Sequence, residues 1–234
     1  GRVESIPLLL VPEQLEYELS STILKLTADR LSVVGFLSDY GAHSPTGTYS
    51  RAAEALARHY DVREVELEDG DEALDGVDVV VAAGVDDVPD PELFVLDQYI
   101  MRGGRVLFLL DAVEIPEDGT VGRVATGNVY DYVSRYGADV QHELVVDLVN
   151  ENAAFRTGAM TMTMPYPFWP KAVAPNISIE HPVVSELDAI AFPWTSPIAP
   201  SGDMPDSVRY EALATSSGRS WTAPPTVSLN PRAA

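Results

Sequence analysis

The stretch GGRVLFLLD, residues 103–111, is the clearest structural signal in this sequence of 234 residues. Its two glycines end a helix, because glycine adopts left-handed backbone angles without penalty. The apolar run that follows is short and stops at Asp111, which is typical of a strand buried on both faces. Two similar runs precede it, LSVVGFL at 31–37 and VDVVVAA at 77–83. The three runs predict the central strands of one sheet.

Helical patterns separate these strands. Thr46 or Thr48 is expected to cap a helix that reaches about His59, and prolines at 89 and 91 open a helix over 92–102. Alternation of strand and helix predicts a doubly wound, mostly parallel α/β sheet, because parallel neighbours need crossover connections. The same patterns predict a helix at 13–29, a half-exposed strand at 61–67, a loop at 112–126, a helix at 128–136 and a strand at 144–148.

The texture of the sequence changes after Asn150, where prolines become frequent and helical periodicity is lost. Short strands fit at three places, 177–180, 189–192 and 209–214. The sequence therefore predicts an α/β core over 1–150 and a β-rich, proline-rich extension over 151–234. The extension is expected to pack on the core, so that the chain forms one structural domain overall.

The charge balance excludes several classes of function. The chain carries 36 acidic and 15 basic residues, a net charge of −21, which repels nucleic-acid backbones and anionic lipid headgroups. The absence of cysteine excludes thiolate metal sites and cysteine nucleophiles. No apolar run reaches the roughly 20 residues of a membrane-spanning helix. Because the chain begins at Gly1 without an initiator methionine, we interpret it as a fragment of a longer protein.

Polar residues follow the predicted parallel strands, where ligands bind in sheets of this kind. The candidate binding residues in these loops are Asp39, Tyr40, His43, Asp86, Asp111 and Glu114. One hypothesis is a metal site or a carboxylate pair for hydrolysis. The alternative is that aspartate is common at strand ends because it accepts backbone hydrogen bonds in turns. His43 is open to the same two interpretations.

The run MPYPFWP at 164–170 combines prolines with large aromatic rings. Prolines keep a backbone extended, and the rings are large anchors for burial or binding. Tyr166 and Trp169 are therefore candidate ligand-binding residues that would stack on a sugar or a partner. The structural alternative, which we favour, is that the rings fill the edge of the core.

Motifs for cofactors and catalysis are missing from the sequence. There is no GxGxxG after the strand at 31–37, and no GxxxxGK[ST], GxSxG or HExxH pattern anywhere. We therefore expect no nucleotide cofactor, no resident metal and no catalytic residue.

Several segments resemble the GldG-like auxiliary proteins of gliding-motility-type ABC transport systems. They begin with EYELSSTI at 16–23 and VGFL at 34–37, and continue with LDQYI at 96–100 and GGRVL at 103–107. Later matches are YGA at 136–138, VVD at 145–147, HPVV at 181–184, FP at 192–193 and LATSS at 213–217. The first loop departs from the family, because DYGAH at 39–43 stands where relatives carry a Gly-His-Gly-Glu-like stretch.

The resemblance implies a flavodoxin-like or glutamine-amidotransferase-like fold without a catalytic cysteine. It also implies a domain on the periplasmic side, anchored to the cytoplasmic membrane by flanking helices outside this chain. The implied partners are the permease and ATPase subunits of an ABC transporter. Two further hypotheses stay open: a module that binds a saccharide or lipid-linked glycan, and a metal-dependent hydrolase that uses Asp39, His43, Asp111 and Glu114.

Overall fold

The computed structural model describes residues 15–27, 30–116, 120–157, 160–202 and 207–230. The chain divides into two compact units, Gly1–Leu110 and Asp111–Ala234. The division falls before the predicted change of texture at Asn150, so that 111–150 belongs to the second unit. The packing of the two parts as one structural domain stays a prediction.

The first unit contains a four-stranded parallel sheet with the order β2-β1-β3-β4. Its strands are β1 (Val33–Leu37), β2 (Asp61–Val65), β3 (Val79–Ala83) and β4 (Arg105–Leu109). Its helices are α1 (Leu15–Thr27), α2 (Ser50–Leu56), α3 (Asp90–Met101) and a short 3-10 helix (Leu67–Glu72). The β1–β2 and β3–β4 crossovers run in opposite directions from the centre of the sheet, and right-handed connections then place α2 and α3 on opposite faces. The predicted parallel α/β arrangement is confirmed for these four strands.

The two ends of α3 follow the expected local chemistry. Pro89 occupies the N-cap position and a proline stands in the first turn, where the missing N–H is not needed. At the other end, Gly103 has φ +93°, and its N–H donates to Ile100 O at 2.9 Å. The N–H of Gly104 donates to Tyr99 O at 2.9 Å. The predicted glycine termination is confirmed.

The predicted cap of α2 is wrong. The helix begins at Ser50 after Tyr49 and has no side-chain cap. The hydroxyl of Thr46 instead donates to Glu64 Oε1 at 3.1 Å, and Ser44 donates to the same oxygen at 2.7 Å. The carboxylate on β2 therefore takes up the hydroxyl that the local pattern assigned to the helix.

The prediction that β4 is a buried strand is also wrong. β4 lies at the edge of the sheet and alternates in burial, with Leu107 48% and Leu109 37% exposed. Strands β1 and β3 have neighbours on both sides and are almost entirely buried. The composition of an apolar strand does not encode its position in the sheet, so centre and edge look alike in the sequence.

The second unit pairs its strands antiparallel throughout the described residues. Its elements are β5 (Val113–Glu114), β6 (Arg123–Val124), α4 (Val129–Arg135), β7 (Ala138–Val140), β8 (Leu144–Asp147), β9 (Asn150–Thr157), β10 (Met160–Val173), β11 (Ala189–Ala191), β12 (Ile198–Pro200) and β13 (Ser220–Ala223). The sheets are β11-β10-β9, β12-β7, β13-β8 and β5-β6. The predicted helix at 128–136 and the predicted strands at 144–148 and 189–192 are confirmed with shorter bounds.

Other sequence predictions in this unit are corrected. The loop expected at 112–126 contains the β5–β6 pair, and the strands expected at 177–180 and 209–214 are reduced to one bridge between Ile177 and Ala214. The strands β9 and β10 were not predicted. In β10 burial alternates from Tyr166 onward, and the β9 register shifts between Pro165 and Pro170, where prolines are tolerated at an irregularity.

The core of the second unit gathers side chains from both sides of this sheet. Its largest buried members are Tyr166, Leu144 and Leu229, joined by Phe168. No helix among the described residues has both the length and the apolar character needed to cross a membrane.

Candidate functional site

The centre of the parallel sheet is where the chain reverses its winding, between β1 and β3. Ligands of parallel α/β sheets bind at this switch point, beyond the carboxyl ends of the strands. The loop after β1 carries Asp39, Tyr40 and His43, and the loop after β3 carries Asp86. The structure therefore brings these four predicted residues to one edge of the first unit.

The two loops are tied together across this crevice by their own backbones. The N–H of His43 donates to Ala83 O at 2.7 Å, and the N–H of Asp86 donates to Tyr40 O at 3.2 Å. The imidazole of His43 lies against Gly84, where an added Cβ would be 2.6 Å from the ring atom Cδ2. Tyr40 and Gly84 have positive φ angles of 51° and 68°, which this close approach requires. The loops therefore fill the crevice themselves.

Asp39 has a structural partner beside this crevice. Its Oδ2 accepts hydrogen bonds from the N–H groups of Leu67 at 2.6 Å and Glu68 at 3.4 Å, at the start of the 3-10 helix. Burial raises the pKa of the Asp39 carboxyl above its usual range, against these backbone donors, which lower it. This contact matches the turn interpretation of a strand-end aspartate.

A group of acidic side chains surrounds Tyr40. Burial and the nearby carboxylates of Glu92, Glu68 and Asp39 raise the pKa of Tyr40 to about 12, together with a hydrogen bond to Glu92. The atoms Asp39 Oδ1, Asp86 Oδ1 and Glu92 Oε2 are buried without a hydrogen-bond partner in the structure. Glu92 and Glu68 were not predicted as site residues, because their helical positions gave no signal of this proximity.

Asp111 and Glu114 belong to the second unit, where both are exposed. They line a cavity of about 680 Å³ together with Trp194 and neighbouring residues. The hydroxyl of Tyr130 donates to the backbone oxygen of Asp111 at 2.9 Å. Trp194, with φ +51°, was not predicted as a site residue. A backbone angle of this kind is uncommon for a bulky residue, but the sequence does not reveal it.

The aromatic candidates of the second unit form one cluster. Tyr166 is 2% exposed, and its hydroxyl donates to Leu229 O at 2.8 Å. Trp169 is partly buried, and its ring stands perpendicular to Trp194 with the centroids 5.3 Å apart. The burial of Tyr166 leaves its ring no surface for a ligand. We therefore assign Tyr166 to the core, in agreement with the structural alternative.

Across the part of the chain that the structure describes, no three carboxylate or imidazole side chains are grouped so that they could hold a metal ion. The hydrolase hypothesis requires such a group. It is therefore not pursued further.

The fold and these sites define an α/β protein whose ligand crevice is occupied by its own loops. Residues 32–234 match a protein family described as an ABC-type uncharacterized transport system, ABC_transp_aux, and the chain belongs to this family. Membership makes the chain an auxiliary component of an ABC-type transport system, with transporter subunits as partners. The predicted class of ABC transporter auxiliary protein is confirmed.

Two solved structures are similar to this chain. One is described as the mmIFT52 N-terminal domain, with a TM-score of 0.52 and 16% identity over 73% of this chain and 69% of that chain. At this identity the likeness concerns the fold alone. A Thermoplasma acidophilum protein described as a candidate GMP synthase component has a TM-score of 0.39 and 15% identity over 76% of this chain and 71% of that chain, and carries no argument. No curated protein matches the sequence.

Proposed function

We propose that the chain is a non-catalytic interaction domain on the extracytoplasmic side of the cytoplasmic membrane, within a gliding-motility-type ABC transport system. The observation that carries the proposal is membership in the ABC transporter auxiliary family. The resemblance to GldG-like proteins supports the finer assignment. In the full-length protein, flanking helices anchor the domain.

The filled switch point supports a role without catalysis. Parallel α/β enzymes bind nucleotides and substrates in the crevice between the central strands. Here the backbone of Tyr40 is hydrogen-bonded to Asp86, and the ring of His43 lies over Gly84. A substrate at this position would have to displace both contacts.

The edge strand β4 supports a role in protein contact. Leu107 and Leu109 are exposed, and they lie on the same side of the sheet as their register partners Val81 and Ala83. An exposed apolar strand edge is a recognised site of pairing with another chain, and proteins normally protect such edges. A transporter subunit that covers this strand would bury both leucines.

Co-purification tests the interaction. The full-length protein is expressed with its permease and ATPase, extracted in detergent and captured by an affinity tag. We expect the transporter subunits to be recovered with the wild type, and their recovery to fall with the double variant Leu107→Glu/Leu109→Glu. The control is Ile179→Glu, which changes an exposed apolar residue of the second unit. Failure of the wild type to recover either subunit refutes the proposed association.

Protease accessibility tests the location. In intact spheroplasts, added protease is expected to cleave the domain without lysis, while a cytoplasmic marker stays intact. Protection of the domain until the membrane is broken would place it in the cytoplasm and refute the extracytoplasmic assignment.

A second candidate function is saccharide binding. The observation that favours it is the shared cavity of Asp111, Glu114 and Trp194, because an indole face and carboxylate acceptors are groups that hold a sugar ring. In a thermal-shift screen against soluble glycans, we expect a rise in melting temperature that Trp194→Phe reduces and the distant Ile179→Ser retains. A flat response of the wild type across the panel refutes this candidate.

A further inference from the structure

A separate cavity of the second unit has a volume of about 470 Å³. It lies between β10 and two extended segments, 192–198 and 210–216. Its apolar wall includes Val145, Pro170, Ala172, Phe192, Ile198 and Leu213. None of the predicted site residues lines it.

The cavity contains one hydroxyl that the fold does not use. Ser196 lines the cavity, and its Oγ is buried without a hydrogen-bond partner. By contrast, the neighbouring polar side chain of Tyr210 is engaged, because its hydroxyl donates to Ile198 O at 3.3 Å. A buried polar atom without a partner costs free energy comparable to a lost hydrogen bond, and a bound molecule that supplies the partner recovers it.

The charge at this cavity has one sign. Among the described residues that line it, Glu211 alone carries a charge, and its side chain is exposed at the rim. The whole chain has a net charge of −21, so the long-range field opposes the approach of an anion. A neutral or cationic group meets no such opposition.

We propose that this cavity binds a small amphipathic molecule with an apolar body and an uncharged or cationic hydrogen-bonding head. The volume lies within the range of about 300–1,000 Å³ that small-molecule sites occupy. The apolar wall favours burial of an aliphatic or aromatic body, Ser196 provides a hydrogen bond for the head, and Glu211 favours an ammonium over a carboxylate. The proposal does not depend on the transport function, because it rests on this cavity alone.

Three probes with the same phenylbutyl body test the proposal: 4-phenylbutylamine, 4-phenylbutanol and 4-phenylbutyrate. Their affinities for the purified chain are measured by isothermal titration calorimetry at neutral pH. We expect the amine and the alcohol to bind, and the carboxylate to bind at least about five-fold more weakly than the alcohol, which matches the roughly 1 kcal/mol of an exposed charge pair. Equal or stronger binding of the carboxylate overturns the proposal, as does no binding of any probe at millimolar concentration.

Two variants assign the head-group contacts. Glu211→Gln is expected to bring the affinity of the amine to that of the alcohol and to leave the alcohol unchanged. Ser196→Ala is expected to weaken the alcohol about three- to ten-fold, the range that one neutral hydrogen bond provides, with little change in thermal stability because the hydroxyl has no partner in the fold. Loss of stability without loss of affinity would show a structural role for Ser196 and contradict this assignment.

A cavity-filling variant locates the binding. Ala212 is exposed at the cavity, so that Ala212→Trp is expected to keep the fold and abolish binding. The matched control is Ala55→Trp on the exposed face of α2. In addition, methyl NMR signals of Ile198 and Leu213 should shift on titration with the alcohol, while those of the core residue Leu144 should not. Unchanged affinity of Ala212→Trp together with unshifted Ile198 and Leu213 signals overturns the location.

Discussion

Replacement of Asp147 is the sharpest test of how the second unit is held together. Asp147 is fully buried at the end of β8, and its carboxylate accepts hydrogen bonds from three donors. Its Oδ1 accepts from Val149 N at 2.8 Å and from Ser217 Oγ at 2.6 Å, and its Oδ2 accepts from Ser217 N at 2.6 Å. These bonds fasten the turn before β13 to β8, which β13 joins as the paired strand.

The magnitude follows from these donors. Hydrogen bonds to a charged group contribute about 1.5–3 kcal/mol each, and a buried donor left unsatisfied costs about 1–3 kcal/mol. Asp147→Asn keeps the shape but replaces one acceptor oxygen by an N–H₂ group that faces a donor. We therefore expect a loss of about 3–5 kcal/mol in the free energy of unfolding. This is a large part of the roughly 5–15 kcal/mol of a typical domain.

The pH dependence gives an independent test. Burial raises the pKa of Asp147, but the hydrogen bonds from Ser217 and Val149 outweigh it and hold the pKa below its usual range. A carboxyl with a lowered folded pKa stabilises the protein above its unfolded value of about 3.9, and this contribution is lost as the pH falls through the folded pKa. The stability difference between wild type and Asp147→Asn should therefore be full at pH 7 and shrink below about pH 4.

Urea unfolding followed by tryptophan fluorescence measures this difference, because all three tryptophans, Trp169, Trp194 and Trp221, lie in the second unit. The control is Asp139→Asn, which changes an exposed aspartate on β7. A loss smaller than about 1 kcal/mol for Asp147→Asn, or a difference that does not depend on pH, would refute the reasoning.

Two further predictions concern the first unit. Gly84→Ala should destabilise it by about 1–3 kcal/mol more than Gly76→Ala, because both glycines have positive φ but only Gly84 faces a ring, that of His43; thermal unfolding followed by circular dichroism compares the two variants, and equal losses would contradict the close approach. Asp78→Asn should make the unit less stable at pH 7, because a bidentate hydrogen bond from Arg30 lowers the pKa of Asp78 to about 2. The contribution of this partly exposed pair should stay near 1 kcal/mol, persist above about pH 4 and disappear as the pH approaches 2; a loss that is unchanged at pH 2 would contradict the assignment.

Local patterns were sufficient for the parallel sheet and for α3. The central strands are apolar on both faces, and this burial is written directly in their composition. The end of α3 depends on the backbone freedom of Gly103, which needs no distant partner. The strand-end position of Asp39, Tyr40, His43 and Asp86 followed from the same sheet, because parallel strands end at a shared edge.

Long-range pairing decided the remaining features. The edge position of β4, the β9–β10 pairing and the filling of the crevice by His43 depend on segments that are distant in the chain. Thr46 illustrates the reason: its hydroxyl suits a helix cap, yet it binds Glu64 on a neighbouring strand. A side chain meets several partners of similar hydrogen-bonding strength, and the packed fold selects among them by proximity, which local sequence does not contain.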